Sequence, residues 1–195
     1  MDFESCYKIL EERMSSGAHS ACVSVPSSSG DPCSGPQSED IEFSSCDDVK
    51  LVDAFLQMQG ERVQVYTEFD TALQVLLSEN RISEYTLLCA EVTARFKAIS
   101  NTIISIQRVL ENRSMESLAR CIADVQRCES QKLVLVAAKH LDLIRDHNPA
   151  LADHIGVPMT QADSTYATGK ILECESRVRS LIEDIQCEKC DLLSD

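Results

Sequence analysis

From Asp47 onward, large apolar residues recur every three or four positions, the spacing that gathers side chains on one face of an α-helix. The steadiest run spans 82 to 112, where Tyr85, Leu88, Val92, Phe96, Ile99, Ile103, Ile106 and Leu110 follow by threes and fours throughout. Before it, 47 to 79 sets Val49, Val52, Leu56, Val63, Tyr66, Leu73 and Leu77 on one stripe, with Phe55, Phe69 and Leu76 beside it. Asp47 or Asp48 is placed to cap that helix. Gly60 interrupts it at a cost of about 1 kcal/mol relative to Ala, and is expected to mark a close helix crossing. A third run, 115 to 147, carries Leu118, Cys121, Ile122, Val125, Cys128, Leu135 and Ala138, and stops at Asn148-Pro149, where proline forbids continuation. After a loop containing Gly156 and Pro158, a fourth helix starts near Asp163 or Ser164, with Ile171, Leu172, Val178, Leu181, Ile182 and Ile185 as its apolar positions. It reads as shorter and more charged than the others.

These segments predict an all-α fold: an elongated antiparallel bundle of three long helices plus a shorter C-terminal helix, occupying 47–190. The turn NRIS between the first two is short enough to make them antiparallel neighbours, with Asn80 and Ser83 available as caps. Each long helix would measure about 45 Å. Residues 1–46 form a tail whose Ser/Gly/Pro-rich stretch from 15 to 46 has too few large apolar residues to offset the entropy of ordering, so it is expected to be disordered. At its start, Phe3, Tyr7, Leu10 and Met14 share one face of a short amphipathic helix over 2–14, either a transient turn or a docking peptide that folds on a groove. Residues 191–195 are expected to be a disordered end.

Composition narrows the function more than the fold. Apolar residues make up 44% of the chain but aromatics only 5%, with no Trp, so aliphatic side chains must fill the core. A net charge of −14 repels phosphate backbones, which sets direct DNA binding at a disadvantage. It equally disfavours anionic membrane surfaces, and no apolar run is long enough to span a bilayer. MDFESCYKIL does not read as a secretory signal, so residence inside the cell is expected, with the ten cysteines as free thiols and the sequon Asn112-Arg113-Ser114 unused.

The chain shows no Gly-rich phosphate loop, no nucleophile beside a base and no paired metal motif, so it is expected not to be an enzyme and to need no cofactor. Cys187-Glu188-Lys189-Cys190 has zinc-finger spacing but no second pair to complete four ligands, so surface thiols near a fraying end are expected. His140, His147 and His154 recur every seven residues, but Pro149 breaks the alignment and leaves ordinary histidines at a helix end. Cys121 and Cys128 read as small core residues, and the carboxylates as a solvated face with no pair singled out by an apolar setting. More unusual are two polar trios, Gln57, Glu61 and Arg62 in the first helix and Gln126, Glu129 and Lys132 in the third. They are candidates either for cross-helix contacts that set the bundle's register or for contacts with a partner.

The same residues carry a family resemblance. LVDAFLQMQGERVQVYTEFDTAL resembles the opening helix of the Required for Excision type B family. Residues 85 to 110 resemble its second helix through Tyr85, Val92, Thr93, Phe96, Ser100 and Ile103. IADVQRCESQKLVLVAAKHLDLIR resembles its third through Ile122, Gln126, Glu129, Lys132 and Leu133. Gly60 departs from the small Ala-like residue expected there. The resemblance spans roughly 49 to 185 and implies a small helical protein associated with repair of damaged DNA, nuclear, with no catalytic residues to carry over. Combined with the acidic balance, it implies an adaptor that binds repair proteins rather than a reader that grips the lesion. A structural subunit of a cytoplasmic or cytoskeletal helical assembly is the competing reading, because the same periodicity serves intermolecular coiled coils. The short turns and Pro149 favour packing within one chain.

Overall fold

The computed structural model describes residues 43–149 and 164–194. Four long helices are present among the described residues: α1 (Asp48–Ser78), α2 (Tyr85–Asn112), α3 (Glu116–His147) and α4 (Ser164–Leu192), with a 3-10 turn at Ile82–Glu84 leading into α2. The Asp47 carboxylate accepts the Lys50 N–H at 2.8 Å and caps α1. Both short turns use one device. Asn80 and Ser114 take left-handed backbone angles, φ 56° and 61°, so that each helix closes in a Schellman motif. The N–H groups of Asn80 and Arg81 return to the carbonyls of Leu77 and Leu76, and those of Ser114 and Met115 to Glu111 and Leu110. Asn80 therefore ends α1 rather than capping α2, and Ser83 lies inside the 3-10 turn; α2 starts without a side-chain cap.

Cross-helix pairs fix the topology. Arg62 meets Ser100 and Glu68 meets Arg95, so α1 and α2 are antiparallel. Ser117 meets Glu188 and Lys132 meets Glu175, which makes α3 and α4 antiparallel as well. Arg62 to Gln126 and Asp70 to His140 run in the same sense, so α1 and α3 are parallel. Lys189 to Asp53 ties α4 back to α1. The result is an up-down-up-down bundle in which the α3–α4 seam is the most extensive and α1–α2 the next.

The core of α1 keeps Val52, Tyr66 and Leu73 of the expected stripe but runs through Phe55, Arg62 and Leu76 in place of Leu56, Val63 and Leu77. Val52, Phe55, Tyr66, Phe69, Leu73 and Leu76 are buried, Leu56 and Leu77 only partly so, and Val63 is 60% exposed. The reason is that the buried positions keep a strict three-four register through Gln59 and Arg62, both of which are buried. A stripe drawn through apolar residues alone sidesteps those two and lands on Val63. On α4, Ala167, Val178, Leu181 and Ile185 face inward, whereas Leu172 is exposed. That helix is 29 residues long against 28 for α2, because its polar residues lie on its outer face and do not shorten it.

Two boundaries also move. Phe43 and Cys46, which composition places in the tail, pack against the core, because the Arg113 guanidinium gathers the carbonyls of Ser44 and Cys46 at 2.9 and 2.7 Å. At the other end Leu192 still packs on the core, so the helix outlasts the expected end at 190. The short helix over 2–14, the rest of the tail to 42, and His154 lie outside the described residues.

Gly60 marks no close crossing: a β-carbon built there meets nothing within 4 Å. It sits on the exposed face of an unbroken helix. Gly60→Ala is therefore expected to raise the unfolding free energy by about 0.5–1 kcal/mol, read as a higher urea midpoint with an unchanged denaturant slope.

Candidate functional site

The register of α1 carries Arg62 into the core, where it is 2% exposed. Its Nη2 donates to Gln126 Oε1 on α3 at 2.6 Å and to Ser100 Oγ on α2 at 3.1 Å. Gln126 Nε2 in turn donates to the Ser100 carbonyl at 3.3 Å, closing a three-helix clamp. One turn along, the Tyr66 hydroxyl donates to the Glu129 carbonyl at 3.2 Å. Lys132 Nζ lies 4.3 Å from the centre of the Tyr66 ring and 2.9 Å from Glu175 Oε1, which extends the network to α4.

Of the six polar positions singled out in the sequence, the fold thus joins Arg62, Gln126, Glu129 and Lys132. Gln57 and Glu61 do not reach them; they pair with each other at 3.1 Å on the exposed face of α1. Tyr66 and Ser100 complete the network, and neither announces itself as polar partner in the sequence, because one reads as a core aromatic and the other as a neutral helix residue.

The carboxylates are not all on a solvated face. Glu129 and Asp142 are buried at 7% and 9% exposure, since both fall on the inward side of α3. Burial pushes the Glu129 carboxyl above its ordinary range, with Arg62 and Lys132 pulling the other way. Burial likewise weakens the hold of Arg62 on its proton, and Glu129 and Tyr66 counter it. Tyr66 is driven well above the usual phenol range by burial and by the neighbouring Glu129 charge. Among the described residues, Arg62 Nη1 and Glu129 Oε2 have no hydrogen-bond partner.

His140 is not a helix-end histidine. It is 1% exposed, with its ring centre 4.3 Å from that of Phe69 and its Nε2 2.6 Å from Asp70 Oδ1. The α3 register continues inward at this position while only His147, further on, occupies the exposed last turn. Burial lowers the His140 pKa below its ordinary 6.5, opposed by the bond to Asp70. The unfolded chain therefore takes up the proton first on acidification. The contribution of His140 is intact above about pH 6.5 and is lost as the pH falls below it. The raised Glu129 acts with opposite sign, since there the folded state holds the proton more tightly. His140→Leu removes the first effect and keeps the second. Between pH 7.5 and 5.5 the wild type is expected to lose more stability than this variant, as measured by urea midpoints at the two values.

Above the network, a groove of about 510 Å³ lies between α2 and α3. Cys89, Val92, Thr93, Phe96, Lys97 and Ser100 form one wall, and Gln126, Glu129, Ser130, Leu133, Val134 and Ala137 the other. Arg62, Tyr66 and Phe69 of α1 form its floor. Cys89 is a poor nucleophile here, because burial raises its thiol pKa. The groove suits recognition: apolar walls to cover a side chain, and a few buried polar groups to orient it. Elsewhere, Cys187 and Cys190 are exposed on α4, and Cys121 and Cys128 are only half-buried at the α3–α4 seam. No group of three metal-ligating side chains is assembled among the described residues, and none of their helices is long and apolar enough to cross a membrane.

No curated protein and no solved structure matches the chain. Residues 50–142, which hold most of α1, all of α2 and α3 as far as Asp142, match the family described as DNA repair REX1-B. The matched stretch contains Arg62, Tyr66, Ser100, Gln126, Glu129 and Lys132 together, and it leaves α4 outside. The three helices that build the network and the groove are thus the ones similar to the DNA repair REX1-B family, a match that associates this chain with DNA repair.

Proposed function

We propose that this protein is a non-enzymatic adaptor of DNA excision repair, which works in the nucleus by binding other proteins. The observation that carries the reading is the charge. A family of DNA repair meets here a chain of net charge −14, whose field opposes the phosphate contacts that supply most of the affinity of a DNA reader. A protein that serves repair without gripping the duplex acts through the proteins that do. The α2–α3 groove, with apolar walls and a polar floor, is the kind of surface that recognises a protein segment.

Affinity purification from cells with and without DNA damage tests this directly. Repair factors should be recovered, and more of them after damage. Recovery of cytoskeletal proteins alone would instead favour a subunit of a helical assembly. Tight, salt-sensitive binding of the purified protein to damaged duplex DNA would overturn the adaptor reading.

A further inference from the structure

Charge is spread unevenly over the bundle. From Val92 to Leu110, α2 carries Arg95, Lys97 and Arg108 and no carboxylate. From Val125 to Leu141, α3 carries Arg127, Lys132 and Lys139 and a single carboxylate, Glu129, which is 7% exposed. These stretches supply nearly all of the two groove walls. In a chain of net charge −14, the groove therefore lies between two segments of positive balance.

Not all of these cations face it. Glu68 on α1 holds Arg95, and Glu175 on α4 holds Lys132. Lys139 lines a different crevice, with Asp70 and Ile171. Lys97, in contrast, stands exposed on the α2 wall. Arg127 follows the wall residue Gln126 on α3; it bonds Asp124, one turn back, at 2.6 Å and keeps 69% of its side chain exposed. With five N–H donors, its guanidinium can take a second carboxylate. The carboxylate in the groove lining, Glu129, is buried and lies under the opposing pull of Arg62 and Lys132.

Shape selects the form of the occupant. The walls run along two antiparallel helices for about 16 Å, about three helical turns, and Val92, Phe96, Leu133 and Val134 make them apolar. A phosphate backbone gains little from such a surface, because its affinity comes from many clustered cations. Among the described residues there is no strand edge on which an extended segment could pair. A helix laid in the groove fits, with its apolar stripe inward. Carboxylates on either side of that stripe then meet Lys97 and Arg127.

We propose that the α2–α3 groove binds an acidic amphipathic helix of a partner protein, its apolar side chains on Phe96 and Leu133 and its carboxylates on Lys97 and Arg127. The inference rests on the reading that this chain acts by binding proteins, and it names the chemistry of the partner.

The test uses the full chain and two labelled synthetic helices of about 15 residues that share one leucine stripe at three-four spacing. One carries glutamates beside the stripe, the other lysines. Fluorescence anisotropy at about 50 mM salt is expected to show the glutamate peptide binding about tenfold more tightly, a preference that weakens at about 500 mM. The net charge of −14 alone would favour the lysine peptide, so the order of the two separates a local site from the overall field. A Lys97→Glu, Arg127→Glu variant, changed only at exposed positions, should keep wild-type thermal unfolding and reverse that order. Ser130→Trp, which fills the groove from an exposed wall position, should weaken the glutamate peptide about tenfold. The bound glutamate peptide should slow alkylation of Cys89 and leave Cys187 and Cys190 at their own rates.

Equal binding of the two peptides, or a preference for lysine, would overturn the proposal, as would glutamate binding that survives Ser130→Trp. So would displacement of the peptide by a single strand of about 12 nucleotides, which would assign the groove to nucleic acid. Cys89 protection that grows with protein concentration in the absence of peptide would assign it to a second copy, with the same result. If the peptide fails while repair factors are still recovered from cells, the adaptor reading stands and its docking face lies elsewhere. If none is recovered while the peptide binds as expected, that reading falls and the preference of the groove remains.

Discussion

Arg62→Ala is expected to lower the unfolding free energy by about 3–5 kcal/mol, the range for breaking a buried charged network by removing one partner. Three losses act together. Gln126 and Ser100 lose the donor that joins them, so α1 is no longer clamped to α2 and α3 at this level. Glu129 loses its foremost opposing positive charge while it stays buried. The truncated side chain also leaves unfilled volume beside the groove floor. The pH dependence separates these losses. Without Arg62 the Glu129 carboxyl is raised further, and a group with a raised folded pKa favours folding progressively as the pH falls toward its unfolded value of 4.5. The difference between wild type and variant should therefore shrink between pH 8 and pH 5, and His140 cancels because both proteins carry it. Replacing the polar partners with apolar residues of similar volume, as in Arg62→Met with Glu129→Leu, should recover much of the loss. Urea titrations of the three proteins at both pH values measure all of this. A loss for Arg62→Ala below about 1 kcal/mol would mean that the clamp does not hold the bundle.

The clamp also shows where sequence reasoning was strong and where it was not. Helix number, order and sense were legible because apolar spacing, short turns and Asn148-Pro149 act locally, within a turn or two of chain. The run from Tyr85 to Leu110 was read almost residue for residue, since every position that faces inward there is apolar or nearly so. α1 was misread at Leu56, Val63 and Leu77 for the opposite reason. Its inward register passes through Gln59 and Arg62, and a method that scores only hydrophobicity steps around them. The same residues were nevertheless noticed as unusual polar positions, and four of the six prove to be neighbours. What the sequence could not say is that Tyr66 and Ser100 join them, or that Asp70 lies against His140. Those contacts link residues 38 or more positions apart and exist only once the helices have packed. The groove was invisible for a related reason: residues of α1, α2 and α3 line it together, and no single helix encodes that. The heptad spacing 55, 62, 69, 76, followed through polar and apolar positions alike, was the available signal for Arg62.

The position of α4 leads to the second large effect. The family match ends at Asp142, yet α4 forms the most extensive seam of the bundle and buries Val178, Leu181 and Ile185 against it. Ile185 is fully enclosed, and Lys189, one turn further, reaches across to Asp53 on α1. Ile185→Ala removes three carbons from a site where the surrounding helices cannot close up without shifting the whole seam, so a loss of about 2–5 kcal/mol is expected. If α4 is integral to the fold, that loss is felt by the entire bundle. In a Tyr7→Phe, Tyr166→Phe background, which leaves Tyr66 on α1 and Tyr85 on α2 as the emitting residues, helix content followed by circular dichroism and tyrosine fluorescence should then change in one coincident transition at lower urea, with the denaturant slope of the unmutated bundle. If the matched helices fold without it, the variant should instead show two separated transitions, with α4 lost first and the tyrosine signal unmoved. The first outcome is the expected one, because α4 forms the most extensive seam of the bundle and contributes Val178, Leu181 and Ile185 to the one shared core, so losing it would open the α3 side of that core to water.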